Sequence, residues 1–202
     1  MTSMKMHDPN SDPLLSPLNA ALVIIDVQPV QVASLQSIAK RTLVENVSSL
    51  AQAAKLYRMP VVLSTVNVKN GRNKPMIHQI TDALADTPIY DRTTLNAWED
   101  TEFLEAVKAT GRKKLIMAAL WTEVCLAFPA ISAMKDGYEV FPVVDACGST
   151  SIEAHNAGID RMVQAGAKPV SWVSVLCELQ RDWGRAETAD GFSKILFAVE
   201  GM

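Results

Sequence analysis

Short apolar runs that stop abruptly on a polar residue punctuate this chain, and segments of helical spacing fill the intervals between them. AALVIID begins at Ala20 and ends on Asp26, MPVVLSTV covers Met59 to Val66, KKLIMAAL covers Lys113 to Leu120, and YEVFPVV covers Tyr138 to Val144. Runs that are rich in branched residues and do not alternate with polar ones suit strands buried on both faces, which are strands of parallel sheets. Parallel neighbours need crossovers of a dozen residues or more, and helices supply them. The spacing of Leu43, Val47, Leu50 and Ala54 up to Tyr57 predicts one such helix. Others are predicted over Glu99 to Thr110, Glu123 to Lys135, Ser149 to Ala165 and Val175 to Trp183, with Gly111, Gly137 and Gly166 as stops. Weaker signals are a short helix from Met76 to Leu84, a brief apolar start at Ile89 and a last strand from Lys168 to Val173. The expectation is a doubly wound, Rossmann-like three-layer α/β/α sandwich on a mostly parallel sheet of five or six strands.

Residues 20–202 are expected to form a single domain behind an arm, residues 1–19, whose Pro, Ser, Asp and Asn content reads as exposed or as docked on a neighbouring subunit. The tail from Arg185 to Met202 reads as less regular. Pro129 falls inside a predicted helix, where the missing amide hydrogen should loosen the first turns. The chain has no apolar run approaching the roughly 20 residues of a membrane span and no secretory leader pattern, so a soluble cytoplasmic protein is expected. With a net charge of −3, no basic field exists to hold nucleic acid or anionic lipid, which leaves a small molecule as the expected partner. At 49% hydrophobic the chain is slightly apolar for a monomer, which points to a subunit interface.

In open parallel sheets the ligand crevice lies beyond the carboxyl ends of the strands, so side chains stationed there are the first candidates for chemistry. Cys125 follows KKLIMAAL by a short turn, where a helix begins. The positive end of a helix dipole favours the thiolate, the attacking form. Asp26 ends the first strand and would carry protons, while Arg92 would hold the thiolate and orient Asp26. Amides between Trp121 and Cys125 would bind an oxyanion. Against this stands the plainer reading of Cys125 as core filler, since cysteine is among the most buried residue types. Cys147 is a lesser thiol candidate, and Cys177 reads as packed. His7, His78 and His155 show no metal-ligand spacing and Asp26 has no second carboxylate nearby, so no metal is expected. Asp26-Val27-Gln28-Pro29 stands where a glycine-rich phosphate loop would be needed, which speaks against a dinucleotide; no cofactor is expected.

ALVIIDVQ, RTTLNAWED, GRKKLIMAALWTEVCLAFPAISAMKDGYEVFPVVDACGS and PVSWVSVLCELQRDW, in that order from Ala20 to Trp183, resemble the isochorismatase-like cysteine hydrolases and most closely their YcaC-like branch. The resemblance implies Asp26 as acid and base, Cys125 as nucleophile, a cis peptide at Trp121–Thr122, and oxyanion-binding amides near Thr122 and Cys125. It implies a pocket drawing on Gln28, Asn96, Trp121 and Phe128. The position of the family's lysine reads Arg92, with a one-residue uncertainty. Arginine holds charge but cannot exchange protons at ordinary pH. A homo-oligomer is implied as well, an octamer in the YcaC-like branch. The activity implied is hydrolysis of a small amide or related acyl compound through a thioester. Two alternatives stand beside it: a cysteine-independent isochorismatase-type hydrolase relying on Asp26, and a non-catalytic oligomeric binding protein that retains the pocket.

Overall fold

The computed structural model describes residues 8, 9 and 11–198; residues 1–7, 10 and 199–202, including parts of the expected arm and tail, lie outside the described residues. Five strands form one sheet: β1 (Ala20–Ile25), β2 (Val61–Val66), β3 (Ile89–Arg92), β4 (Lys114–Ala119) and β5 (Glu139–Pro142). All pairings are parallel, in the order β3-β2-β1-β4-β5. The chain thus winds outward from β1 to one edge, then returns to place β4 on the other side of β1. This reversal leaves a crevice beyond the carboxyl ends of β1 and β4.

β1 explains why the apolar runs lack alternation. Ala20, Leu22 and Ile24 enter one core with Ile116, Ala118 and Leu63, whereas Ala21, Val23 and Ile25 enter the other with Leu115, Met117 and Ala119. Each branched side chain so buried contributes roughly 1.5–3 kcal/mol relative to exposure. Helices α2 (Lys40–Leu56), α7 (Trp172–Gln180) and α8 (Ala186–Ala198) cover the first face. Helices α4 (Thr101–Ala109), α5 (Ala127–Lys135) and α6 (Ile152–Gln164) cover the second, completing the three layers. Two short helices, α1 (Pro29–Ala33) and α3 (His78–Thr81), sit above the strand ends.

The sheet takes the lower of the two strand numbers expected, because the segment at 168–173 contributes only an isolated bridge, Val143 to Val170, before α7 begins at Trp172. A capping box between Ser171 and Ser174 draws the helix start forward. The tail expected to be less regular forms α8. There Phe192, Ile195 and Leu196 pack inward, and Gly191 is so close to Leu56 that a Cβ would lie 2.6 Å from its Cδ1. Part of the arm expected to be exposed is also packed: Asp12, Leu15 and Ser16 are buried. Lys114 Nζ donates to the carbonyls of Asp12 and Leu14, and Arg181 pairs with Asp12 at 2.9 Å. Docking is therefore on the chain's own body, where a buried lysine and a half-buried arginine need acceptors. No helix among the described residues is long and apolar enough to cross a membrane.

Candidate active site

Asp26 is the first residue past β1 and turns sharply out of the sheet. Its φ of 57° is left-handed, unusual for a residue with a side chain, and such strain gathers where a side chain must be aimed. Gln28 donates its amide hydrogen to the Asp26 carbonyl at 2.8 Å, closing the turn. The carboxylate is fully buried and receives both ends of the Arg92 guanidinium, Nη1 to Oδ1 at 3.2 Å and Nη2 to Oδ2 at 2.8 Å. This fork-to-fork geometry is the strong form of the pair.

Arg92 ends β3, so two strand ends already meet here. The two-residue period of a strand sends Asp91 the other way. It accepts from Thr65 Oγ1 and from the amides of Val68 and Lys69, bracing the loop after β2. Arg92 is therefore the residue of this segment whose side chain meets Asp26. Its Nε is buried with no partner among the described residues.

The third strand end brings Cys125. After β4 the chain passes through a π-turn, Thr122–Leu126, before α5. Leu126 donates to the Trp121 carbonyl five residues back, at 3.2 Å. Pro129 accounts for the widening: in a regular helix its ring would press on the Cys125 carbonyl, and it offers that carbonyl no hydrogen. The predicted helix is thus divided, and the wide turn carries the thiol. Cys125 hydrogen-bonds Asp26 and also receives a backbone hydrogen bond from Trp121. Burial, then the charge and hydrogen bond of Asp26, push the thiol up to about 12 against the opposing pull of Arg92. Burial likewise holds Asp26 above the ordinary carboxylate range, against the charge and hydrogen bonds of Arg92.

The cis peptide lies at Leu120–Trp121, one bond before the expected Trp121–Thr122. The Thr122 amide donates to the Gly148 carbonyl at 3.1 Å, continuing a bridge between Leu120 and Gly148. That amide is spent, and the Trp121 amide faces the thiol instead. Two expected pocket residues are spent as well. Gln28 is fully buried, donating to the carbonyls of Val66 and Lys74 and accepting from the Val66 amide. Asn96 caps the 3-10 turn Ala97–Glu99 and donates to Ser132 on α5. Both are braces: burial obliges amide groups to find fixed partners, which takes them from a ligand. Trp121 and Phe128 stay half-buried, the indole donating to Ser34 Oγ at 2.8 Å and the ring lying 5.5 Å beneath the Arg161 guanidinium. His7 lies outside the described residues. His78 is on α3, while His155 contacts Thr122. Among the described residues no cluster of His, Cys, Asp and Glu is placed to hold a metal ion.

Residues 20–174 match the isochorismatase domain family. The chain belongs to the isochorismatase family. It is 39% identical over 166 residues, 82% of this chain and 79% of its counterpart, to the probable hydrolase YcaC of Escherichia coli. Among solved structures, YcaC from Pseudomonas aeruginosa with hexane-2,5-diol and covalent acrylamide is similar with a TM-score of 0.88 at 34% identity, covering 94% of this chain and 95% of that one. The E. coli YcaC structure, an octameric hydrolase of unknown specificity, is similar with a TM-score of 0.86 at 36% identity, covering 94% of each chain. These comparisons establish the family and its YcaC-like branch for this isochorismatase-family chain.

Proposed function

We propose that this isochorismatase-family protein is a cysteine hydrolase that cleaves a small amide or related acyl compound through a thioester on Cys125. The observation that carries the reading is the meeting of Asp26, Arg92 and Cys125 from three strand ends at the sheet's reversal. The Asp26 carboxylate takes the Sγ proton as sulfur attacks the carbonyl carbon, and the Trp121 amide donates to the oxygen that gains charge. Asp26 then gives the proton to the departing nitrogen, the C–N bond breaks and the thioester remains. Water, deprotonated by Asp26, attacks the thioester; the proton returns to sulfur as the acid leaves. Arg92 keeps its charge throughout and holds Asp26 in line. The covalent acrylamide on the P. aeruginosa relative supports a reactive nucleophile in this branch.

The high thiol pKa favours a second reading, a pocket kept for binding with an unreactive cysteine. The pH profile of Cys125 alkylation by acrylamide, followed by intact mass, separates the two. A lone thiol at about 12 gives a slow rate that climbs tenfold per pH unit across neutrality. Deprotonation by Asp26 gives a rate that is flat through neutral pH and falls on the acid side as the carboxylate protonates, at a pH above its ordinary 3.8. The flat profile is expected, with Asp26→Asn converting it to the climbing one. A small amide and ester screen then identifies the substrate.

The protein is also proposed to be a homo-oligomer. The octameric E. coli relative supports this, and so do the exposed apolar side chains of Leu95 and Ile152. Light scattering is expected to give a multiple of the 22.0 kDa chain, and a monomer at micromolar concentration would refute it.

A further inference from the structure

Behind the π-turn lies a second polar cluster that hydrolysis does not use: Thr122, Cys147 and His155. Thr122 is fully buried at the head of the turn, and its hydroxyl lies 2.9 Å from Nδ1 of His155 on α6. The same hydroxyl hydrogen-bonds Cys147, a fully buried thiol just past β5. Cys147 in turn donates its own S–H to the Val144 carbonyl at 3.5 Å.

Proton counting orients this chain, because a thiol and a hydroxyl each have a single hydrogen to give. Cys147 spends its hydrogen on Val144, so Thr122 is the donor to Cys147. Thr122 has then spent its own, and its oxygen accepts from His155. The Nδ1 nitrogen of His155 therefore carries a hydrogen, and in the neutral ring Nε2 is a bare lone pair. Burial of the imidazole favours that neutral ring, with the charge of Glu123 acting the other way.

We propose that His155 is a positioning residue for the nucleophile: the relay from His155 Nδ1–H through Thr122 Oγ1–H and Cys147 Sγ–H to the Val144 carbonyl fixes the π-turn that aims Cys125 at Asp26. Two independent contacts clamp the same turn. Gly158, three residues along α6 from His155, lets helix and turn touch backbone to backbone, since a Cβ there would lie 2.9 Å from Glu123 Cα and 3.1 Å from the Thr122 carbonyl carbon. Ser149 Oγ donates to the Glu123 carboxylate at 2.5 Å. The turn is thereby held by α6 and by the segment after β5, so losing the relay lets the thiol drift from its base. Displacement by about an ångström is enough to cost up to about a hundredfold in rate.

The positioning role rests on Cys125 being the nucleophile, whereas the proton order does not, and two measurements on the full chain keep them apart. Solid-state ¹⁵N spectra of histidine-labelled protein at about pH 8, above the ordinary histidine range, report the tautomer; the His155→Asn spectrum identifies the His155 signals by their absence. The Nδ1–H tautomer is expected. Cys147→Ala frees the Thr122 hydrogen to donate to Nδ1, so this variant should move toward Nε2–H. An Nε2–H wild type, or a tautomer unmoved in Cys147→Ala, overturns the relay. The second measurement is the rate of Cys125 alkylation by acrylamide. His155→Leu should slow it by about tenfold or more, while His155→Asn, whose amide N–H stands where Nδ1–H stood, should stay within about threefold of wild type. A His155→Leu rate equal to wild type, or a His155→Asn rate as slow as that of His155→Leu, overturns the positioning role. A wild-type Cys125 that resists acrylamide sinks the nucleophile reading and the positioning role with it, and the nitrogen spectrum still judges the relay.

Discussion

Replacing Cys125 by alanine should abolish both turnover and the acrylamide adduct while leaving the fold in place. The substitution removes one sulfur atom from a nearly buried site. The small cavity left behind should cost about 1 kcal/mol or a little more, well within the usual margin of a domain. The chemical loss is far larger, because no other group stands where the acyl carbon must be attacked. Cys147, the other buried thiol, is committed to Val144 and raised to about 12 by its burial. A loss on the order of 10³-fold or more is expected, as for removal of nucleophiles generally. Cys125→Ser should be nearly as poor, since a carboxylate is too weak a base to activate a hydroxyl. The checks are turnover of whichever compound the amide and ester screen yields, intact-mass labelling, and thermal unfolding to show that the variant is folded. Hydrolysis that persists in Cys125→Ala would hand the chemistry to Asp26 alone, the cysteine-independent alternative.

The positions of Asp26 and Cys125 were legible in the sequence because one stands where an apolar run stops and the other a short turn beyond such a stop, and a parallel sheet places these stops along one edge. Strand order was not legible. Only the reversal at β1 brings the ends of β1 and β4 side by side. Arg92 was harder to fix, because β3 is four residues long and half-exposed, with no apolar run to set its register. Gln28 and Asn96 enter the pocket only by the family resemblance. Sequence shows which side chains have donors, but not which donors the backbone has already taken. For the same reason the oxyanion amides expected between Trp121 and Cys125 include that of Thr122, whose hydrogen goes to Gly148. His155 showed in the sequence only the lack of metal-ligand spacing, and its partner Thr122 is 33 residues away. The helix α8 was missed because AETADG offers polar residues and a glycine where an apolar stripe would announce it, and its packing on α2 forms only in the folded chain.

The second large effect should come from Arg92, and it separates stability from chemistry. The pair it forms with Asp26 is fully buried on both sides, so removing the guanidinium leaves a carboxylate with neither water nor a counter-charge. Breaking a buried pair in this way costs about 3–5 kcal/mol, and Arg92→Met should lose that much in urea unfolding. Removing both charges together, in Asp26→Asn with Arg92→Met, should restore part of the loss, because the penalty lies in the orphaned charge. Proton chemistry should move as well. The Arg92 charge lowers the Asp26 pKa, so its removal raises that value further and the carboxylate stays protonated to a higher pH. The acid limb of the Cys125 alkylation profile should therefore shift upward in Arg92→Met. Arg92→Lys keeps the charge but offers a point contact in place of the two-pronged one. Its limb should stay near that of wild type while the rate falls, because Asp26 is no longer held in line. An Arg92→Met protein as stable as wild type, with its acid limb unmoved, would mean that the pair neither supports the fold nor tunes the base. Asp26 would then have to set its own proton affinity by burial alone.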